Sequence, residues 1–173
     1  CEKWELLKEL QKKINGRLLW YVCCWPPYPN TFISSPLVEA KLIGILTAFM
    51  GLDGFLRWNY TVWPENPRER ISYRYPHWKA GDTNFVYPGR DGRPVLTLRY
   101  KSLKRGIEDY ELIMMLKDKS KEIPDELWNK IFKTDRIEEF HPNSGKGPSL
   151  LYSLDSKDYE EFRRLVIEAL ESS

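Results

Sequence analysis

Arg17-Leu18-Leu19-Trp20-Tyr21-Val22-Cys23-Cys24-Trp25-Pro26-Pro27-Tyr28-Pro29 decides the fold. From Leu18 to Cys24 the run is apolar on both parities, as expected of a strand buried on both faces. It ends in three prolines within four positions, which can join neither a ladder nor a helix interior, so residues 25–35 read as an ordered loop. Upstream, Trp4, Leu7, Leu10 and Ile14 stand at helical spacing, and Asn15-Gly16 supplies a stop; this predicts an amphipathic helix over 2–14. Downstream, Pro36 opens a helix to Met50, with Leu37, Leu42, Ile45, Leu46 and Phe49 as its apolar stripe and Gly51 as its C-terminal cap. A second strand is expected over 54–59. Helix, strand, helix, strand with short turns is an α/β pattern of parallel strands. Two strands do not make a whole sheet, and a full (β/α)8 barrel takes roughly 250 residues. The chain is therefore expected to be part of a longer polypeptide whose other strands precede Cys1.

Working outward, residues 60–94 lack helical periodicity and carry five prolines with Trp63, Tyr73, Tyr75, Trp78, Phe85 and Tyr87. Loops this long inside compact domains are uncommon and are often functional. Thr83–Tyr87 and Val95–Leu98 flank Pro88-Gly89-Arg90-Asp91-Gly92-Arg93 and predict a β-hairpin. A helix follows over about 99–117, with Gly106 as its weak point. Pro124 opens a short helix to Phe132, residues 134–154 form a loop, and Asp155 caps a last helix with Phe162, Leu165, Val166 and Leu170 facing inward. Residues 1–116 thus read as an α/β unit and 117–173 as a helical tail packed on it. Two open sheet edges predict self-association unless the tail covers them.

Composition excludes several classes. The 173 residues are 42% hydrophobic and 30% charged, and no apolar run approaches the roughly 18 residues of a membrane span. Three cysteines without C-x-x-C spacing and two distant histidines, His77 and His141, form no metal-ligand grouping, so no metal or other cofactor is expected. Net charge is +2, yet residues 57–105 hold eleven Lys/Arg against four Asp/Glu. Arg57, Arg68, Arg70, Arg74, Arg90, Arg93 and Arg99 among aromatics could bind single-stranded nucleic acid. A pI of 8.4 and the lack of an RNP or GxxG-type signature argue against a nucleic-acid partner.

Trp20, Tyr21, Trp25, Tyr28, Trp58, Tyr60 and Trp63 gather near the ends of the two strands. Sugar rings stack on such faces while their hydroxyls seek amides, guanidinium and carboxylates; core packing of the same aromatics is the plainer alternative. Among the carboxylates, Asp53 precedes its strand and is expected to cap the Leu52-Asp53-Gly54 turn. Glu108, Asp109 and Glu111 fall on a helix with Lys104 and Arg105 one turn earlier and read as intrahelical pairs on a solvated face. Glu65 and Asp82 remain as ligand contacts. Ser144-Gly145-Lys146-Gly147 lacks the spacing of a phosphate loop. Asn59-Tyr60-Thr61 matches the glycosylation pattern by chance, and Cys23-Cys24 reads as two small packing residues.

Gly51-Leu-Asp-Gly-Phe-Leu-Arg-Trp-Asn59, Trp63-Pro-Glu-Asn-Pro67, Trp78-Lys-Ala-Gly-Asp82, Val86-Tyr-Pro-Gly89 and Leu103-Lys-Arg-Gly-Ile-Glu-Asp-Tyr-Glu-Leu112 together resemble the C-terminal catalytic-barrel region of glycoside hydrolase family 123. The resemblance covers roughly residues 16–116. It implies the last two βα units of a (β/α)8 TIM-type barrel and an exo-acting N-acetyl-β-galactosaminidase. In such enzymes the substrate's own acetamide oxygen attacks the anomeric carbon, beside an Asp-Glu pair on an earlier strand; that pair would lie upstream of Cys1, leaving no catalytic residue in this chain. The implied partner is an N-acetylhexosamine-containing glycan. Trp58 and Trp25 would form the sugar platform, Asn59 or Arg57 would bond hydroxyls, and Trp63 or Tyr21 would close the side. Which parity of the strand faces the site is open. The alternative is a non-catalytic carbohydrate-binding or structural module.

Overall fold

The computed structural model describes residues 4–67, 78–119 and 122–172. Its centre is a parallel pair, β1 (Leu19–Tyr21) and β2 (Gly54–Leu56), in the register Leu19↔Gly54, Trp20↔Phe55, Tyr21↔Leu56. Between them runs α2 (Leu37–Phe49), giving the expected strand–helix–strand unit. Both strands are shorter than their apolar runs. The ladder stops where the chain turns into the proline-rich loop after Tyr21 and where Arg57 swings away after Leu56.

The expectation that β1 is buried on both faces is corrected. Trp20 packs inward, its ring edge-on to Phe55 and its Nε1 donating to Thr47 Oγ1 at 2.7 Å. Leu19, Tyr21 and Leu56 point the other way and are each about half exposed, because no described element covers that face. Helix α1 (Trp4–Lys13) shows the same thing. Glu5 in its first turn and Lys12 and Lys13 in its last suit the helix dipole. Of the predicted inward stripe only Trp4 and Leu7 are partly covered, while Leu10 and Ile14 stay in solvent. Polar bonds to the end of α2 fasten it, including Gln11 Nε2 to Gly51 O at 3.1 Å.

Helix α2 is buried from Glu39 to Ala48, as an apolar helix must be. Its main partner is α3 (Leu98–Asp118), which starts at Thr97, whose Oγ1 accepts the Tyr100 N–H at 3.1 Å. Gly106 is no weak point. A Cβ there would sit 2.2 Å from Lys41 O, and one on Gly44 would sit 1.9 Å from Gly106 O, so the two backbones touch through paired glycines. The remaining α-helices among the described residues are α4 (Asp125–Ile131), α5 (Pro148–Leu151) and α6 (Ser156–Glu171), the last capped by Asp155 Oδ1 accepting the Lys157 N–H. Leu42, Leu46 and Ile113 share one apolar cluster with Leu127, Tyr152 and Phe162, so the later helices close the core over α2.

The acidic residues of α3 divide. Glu108 pairs with Lys104 and Arg105 on its own helix, as expected. Asp109 is instead buried between helices, 2.7 Å from Arg163 of α6 and 3.8 Å from Lys41 of α2. Burial pushes its carboxyl up to about 6 against the pull of the two cations. Asp53 reaches across the sheet start, accepting the Leu18 N–H at 2.7 Å.

The aromatic loop after β2 is stitched at its base: Val62 N donates to Thr83 O and Phe85 N to Tyr60 O. Arg68, Arg70, Tyr73, Arg74, Tyr75 and His77 lie outside the described residues, as does Cys1. The hairpin is present as β3 (Val86–Pro88) and β4 (Pro94–Leu96), antiparallel and shorter than expected, since Thr97 and Leu98 are taken up by α3. Among the described residues no helix is long and apolar enough to cross a membrane.

Candidate functional site

Past the C-terminal ends of β1 and β2, a set of buried polar side chains holds the loops that carry the aromatics. Arg57 is at its centre. Its Nη1 donates to Val22 O at 2.9 Å and Asn30 Oδ1 at 3.2 Å, and its Nη2 donates to Asp82 O at 3.2 Å and pairs with Asp82 Oδ1. The Arg57 side chain is 6% exposed and that of Asp82 is fully buried. Burial pulls the Arg57 guanidinium below its ordinary value, and Asp82 opposes this. Among the described residues, Asp82 Oδ2 and Arg57 Nε have no hydrogen-bond partner. So enclosed, the guanidinium is directed at protein acceptors. Arg57 holds the strand ends, and Asp82, expected as a ligand contact, is its counter-ion.

Trp58 also turns to this pair, its Nε1 lying 3.4 Å from Asp82 Oδ1. Because β2 ends at Leu56, strand alternation no longer applies, and neighbouring residues 57 and 58 both converge on Asp82. Trp58 remains partly exposed, with the Trp78 ring 5.3 Å away and tilted by 45°. Those two rings form the aromatic face of the site. Tyr21, about half exposed, lies within the electrostatic reach of Arg57 and Asp82.

The other expected wall residues are placed elsewhere. Trp25 is 65% exposed and borders a separate, largely apolar cavity of about 570 Å³ shared with Trp4, Trp20, Tyr28, Phe140 and His141. The structure does not join Trp25 to Trp58 in one platform. Asn59 Oδ1 accepts the Tyr60 N–H at 2.7 Å and so holds its own turn. Trp63 is fixed to the hairpin, its Nε1 donating to Val86 O at 2.7 Å.

Three further residues shape the site. Asn30, fully buried, donates from Nδ2 to Cys23 O at 2.7 Å and Pro26 O at 3.2 Å, pinning the proline-rich loop. Glu39 accepts the Asn30 N–H at 2.8 Å. Arg99, the second residue of α3, donates to Thr31 O, Gly81 O and Asn84 O at 2.7–2.8 Å, tying the loop after β1 to the loop before β3. Gly81 lies at φ +83°, and a Cβ there would press on the Arg99 guanidinium at 2.8 Å. The sequence groups Arg99 with the arginines among aromatics that could bind nucleic acid, and its role as a tie between loops was missed. Its partners lie 15 to 68 residues away, beyond any local pattern.

No curated protein matches the chain. Among solved structures, a family 123 glycoside hydrolase from Clostridium perfringens, studied for glycolipid glycan hydrolysis, superposes with a TM-score of 0.67 at 20% identity. That match covers 98% of this chain and 30% of the enzyme, and at this identity it speaks for the fold alone. The family model for the glycoside hydrolase 123 catalytic domain matches residues 2–116, more than half of the chain. The strand ends, the loop carrying Trp58 and Asp82, helix α2 and all but the last two residues of α3 fall inside that match, and the chain belongs to the glycoside hydrolase 123 family.

Proposed function

We propose that the chain is the C-terminal part of a glycoside hydrolase barrel, with residues 1–116 supplying two βα units and residues 117–173 a helical cover. The Trp58–Trp78 face, fixed from beneath by Asp82 and Arg57, is the observation that carries this reading. A rigid aromatic face at the carboxyl ends of parallel strands is where such folds bind ligands. The substrate is an N-acetylhexosamine-containing glycan, stacked by the C–H face of its ring. Hydrolysis is substrate-assisted and retaining: the acetamide oxygen bonds to the anomeric carbon, the glycosidic bond breaks, and its oxygen takes a proton from an acid outside this chain. Water then opens the cyclic intermediate. The chain's own residues bind and orient the sugar; Arg57 and Asp82 do so by holding Trp58.

Trp58→Ala in the complete enzyme is expected to lower kcat/KM about tenfold or more, ~1.4 kcal/mol of lost transition-state binding. Unchanged kinetics would remove Trp58 from the site. A binding module without catalysis would instead give saturable tryptophan quenching by saccharide and no hydrolysis by the complete protein.

A further inference from the structure

Residues 117–173 lie beyond the family match, yet they reach the polar network under the aromatic face. Tyr152, fully buried after α5, donates from its hydroxyl to Glu39 Oε1 at 2.8 Å. The other oxygen of that carboxylate accepts the Asn30 N–H at 2.8 Å. Asn30 Oδ1 accepts from Arg57 Nη1, and Arg57 holds Asp82, to which Trp58 points. Glu39 is 1% exposed and Asn30 fully buried, so water cannot replace a lost bond without opening the core. A second tie lands on the same loop: the Tyr28 hydroxyl donates to Lys146 O.

We propose that the helical tail sets the sugar-binding rim, with Tyr152 and Glu39 as positioning residues that act on Trp58 through Asn30, Arg57 and Asp82. The proposal rests on the reading of Trp58 as a sugar platform. A core tyrosine chosen only for packing would have no need to direct its hydroxyl at a buried carboxylate 113 residues away. The carboxylate, in turn, spends one oxygen on the tail and one on the rim loop. A movement of the tail therefore passes through Glu39 to Asn30 and on to Arg57, whose Nη1 shares Asn30 Oδ1 with the Thr31 N–H.

Tyr159 provides a matched control. It is equally buried, and its hydroxyl donates to Ser153 O at 2.8 Å, a bond that stays inside the tail. In the complete enzyme, Tyr152→Phe and Glu39→Gln are expected to raise KM for an N-acetylhexosaminide three- to tenfold with kcat changed less than twofold. Tyr159→Phe is expected to lower Tm by a similar amount to Tyr152→Phe and to leave KM unchanged. Equal kinetic effects of the two tyrosine variants, or none from either, would overturn the proposal. The fluorine resonance of Trp58 in fluorotryptophan-labelled protein gives a second readout that needs no sugar. It should shift with Tyr152→Phe and hold still with Tyr159→Phe; an unmoved resonance in both overturns the coupling. If it shifts while Trp58→Ala leaves kinetics intact, the coupling stands and the sugar-platform reading falls.

Discussion

Helices α2 and α3 meet backbone to backbone, whereas α1 lies over the sheet start with Leu6, Leu10 and Ile14 in solvent. Both flanks are apolar in sequence. One has a complementary partner in the described residues and the other does not, and this decides which positions carry stability. On the α2–α3 flank even a methyl group has no room. On the α1–β1 flank, Leu19, Tyr21 and Leu56 present an apolar face to water.

The largest test of this contrast is Gly106→Ala. Helix propensity alone favours alanine by about 1 kcal/mol. The new Cβ, however, would lie 2.2 Å from Lys41 O, a backbone atom that moves only if the helices part. Steric cost should win, with a net loss of about 2–3 kcal/mol in urea denaturation. Leu10→Ala, on the loose flank, should change stability by less than about 0.5 kcal/mol. Equal effects at the two sites would break the comparison.

A second test falls on Asp109, which the close helix interface has dried. Its carboxyl titrates near 6 when folded and at the ordinary 3.8 in an unfolded chain. Between those values the folded state holds the proton that the unfolded state has lost, so stability falls as pH rises from about 4 to about 6. The slope reaches at most about 1.4 kcal/mol per pH unit. Asp109→Asn removes that titration, and denaturation midpoints measured across the window should then flatten. A variant that keeps the wild-type slope would place the titrating group elsewhere.

These two sites also show how far the sequence could be read. The αβαβ order, the hairpin, Gly51 as a cap and the Asp155 cap were legible because each rests on periodicity or on a residue type suited to one backbone conformation. Gly106 looked like a flaw, since a helical glycine is unfavourable until its neighbour is known to be another glycine on another helix. Asp109 looked solvated because i,i+4 partners are visible in sequence and Lys41 or Arg163 across an interface is not. The rim divides in the same way. The aromatics near the strand ends, Trp58 among them, were visible as residues in the sequence. That Arg57 serves Asp82 and two loops, and that Trp25 faces another cavity, depends on contacts between residues distant in sequence.

On the β1 side the contrast sharpens at two adjacent thiols. Cys24 is exposed and Cys23 only partly so, and exposure alone would make Cys24 the faster to alkylate. Burial raises both thiols. At Cys23, hydrogen bonds from Tyr21 and from the N–H groups of Cys24 and Trp25 overcome that and bring it below the ordinary thiol value. At Cys24, burial is reinforced by the negative charge of Asp82. Thiolate is the reacting form, so Cys23 holds the larger share of it near neutral pH. Iodoacetamide at about pH 7, followed by peptide mass mapping, should label Cys23 ahead of Cys24, and Tyr21→Phe should narrow that lead by a few-fold. If Cys24 leads in both proteins, access outweighs ionisation, and the rim beside Tyr21 is more closed than its exposure implies.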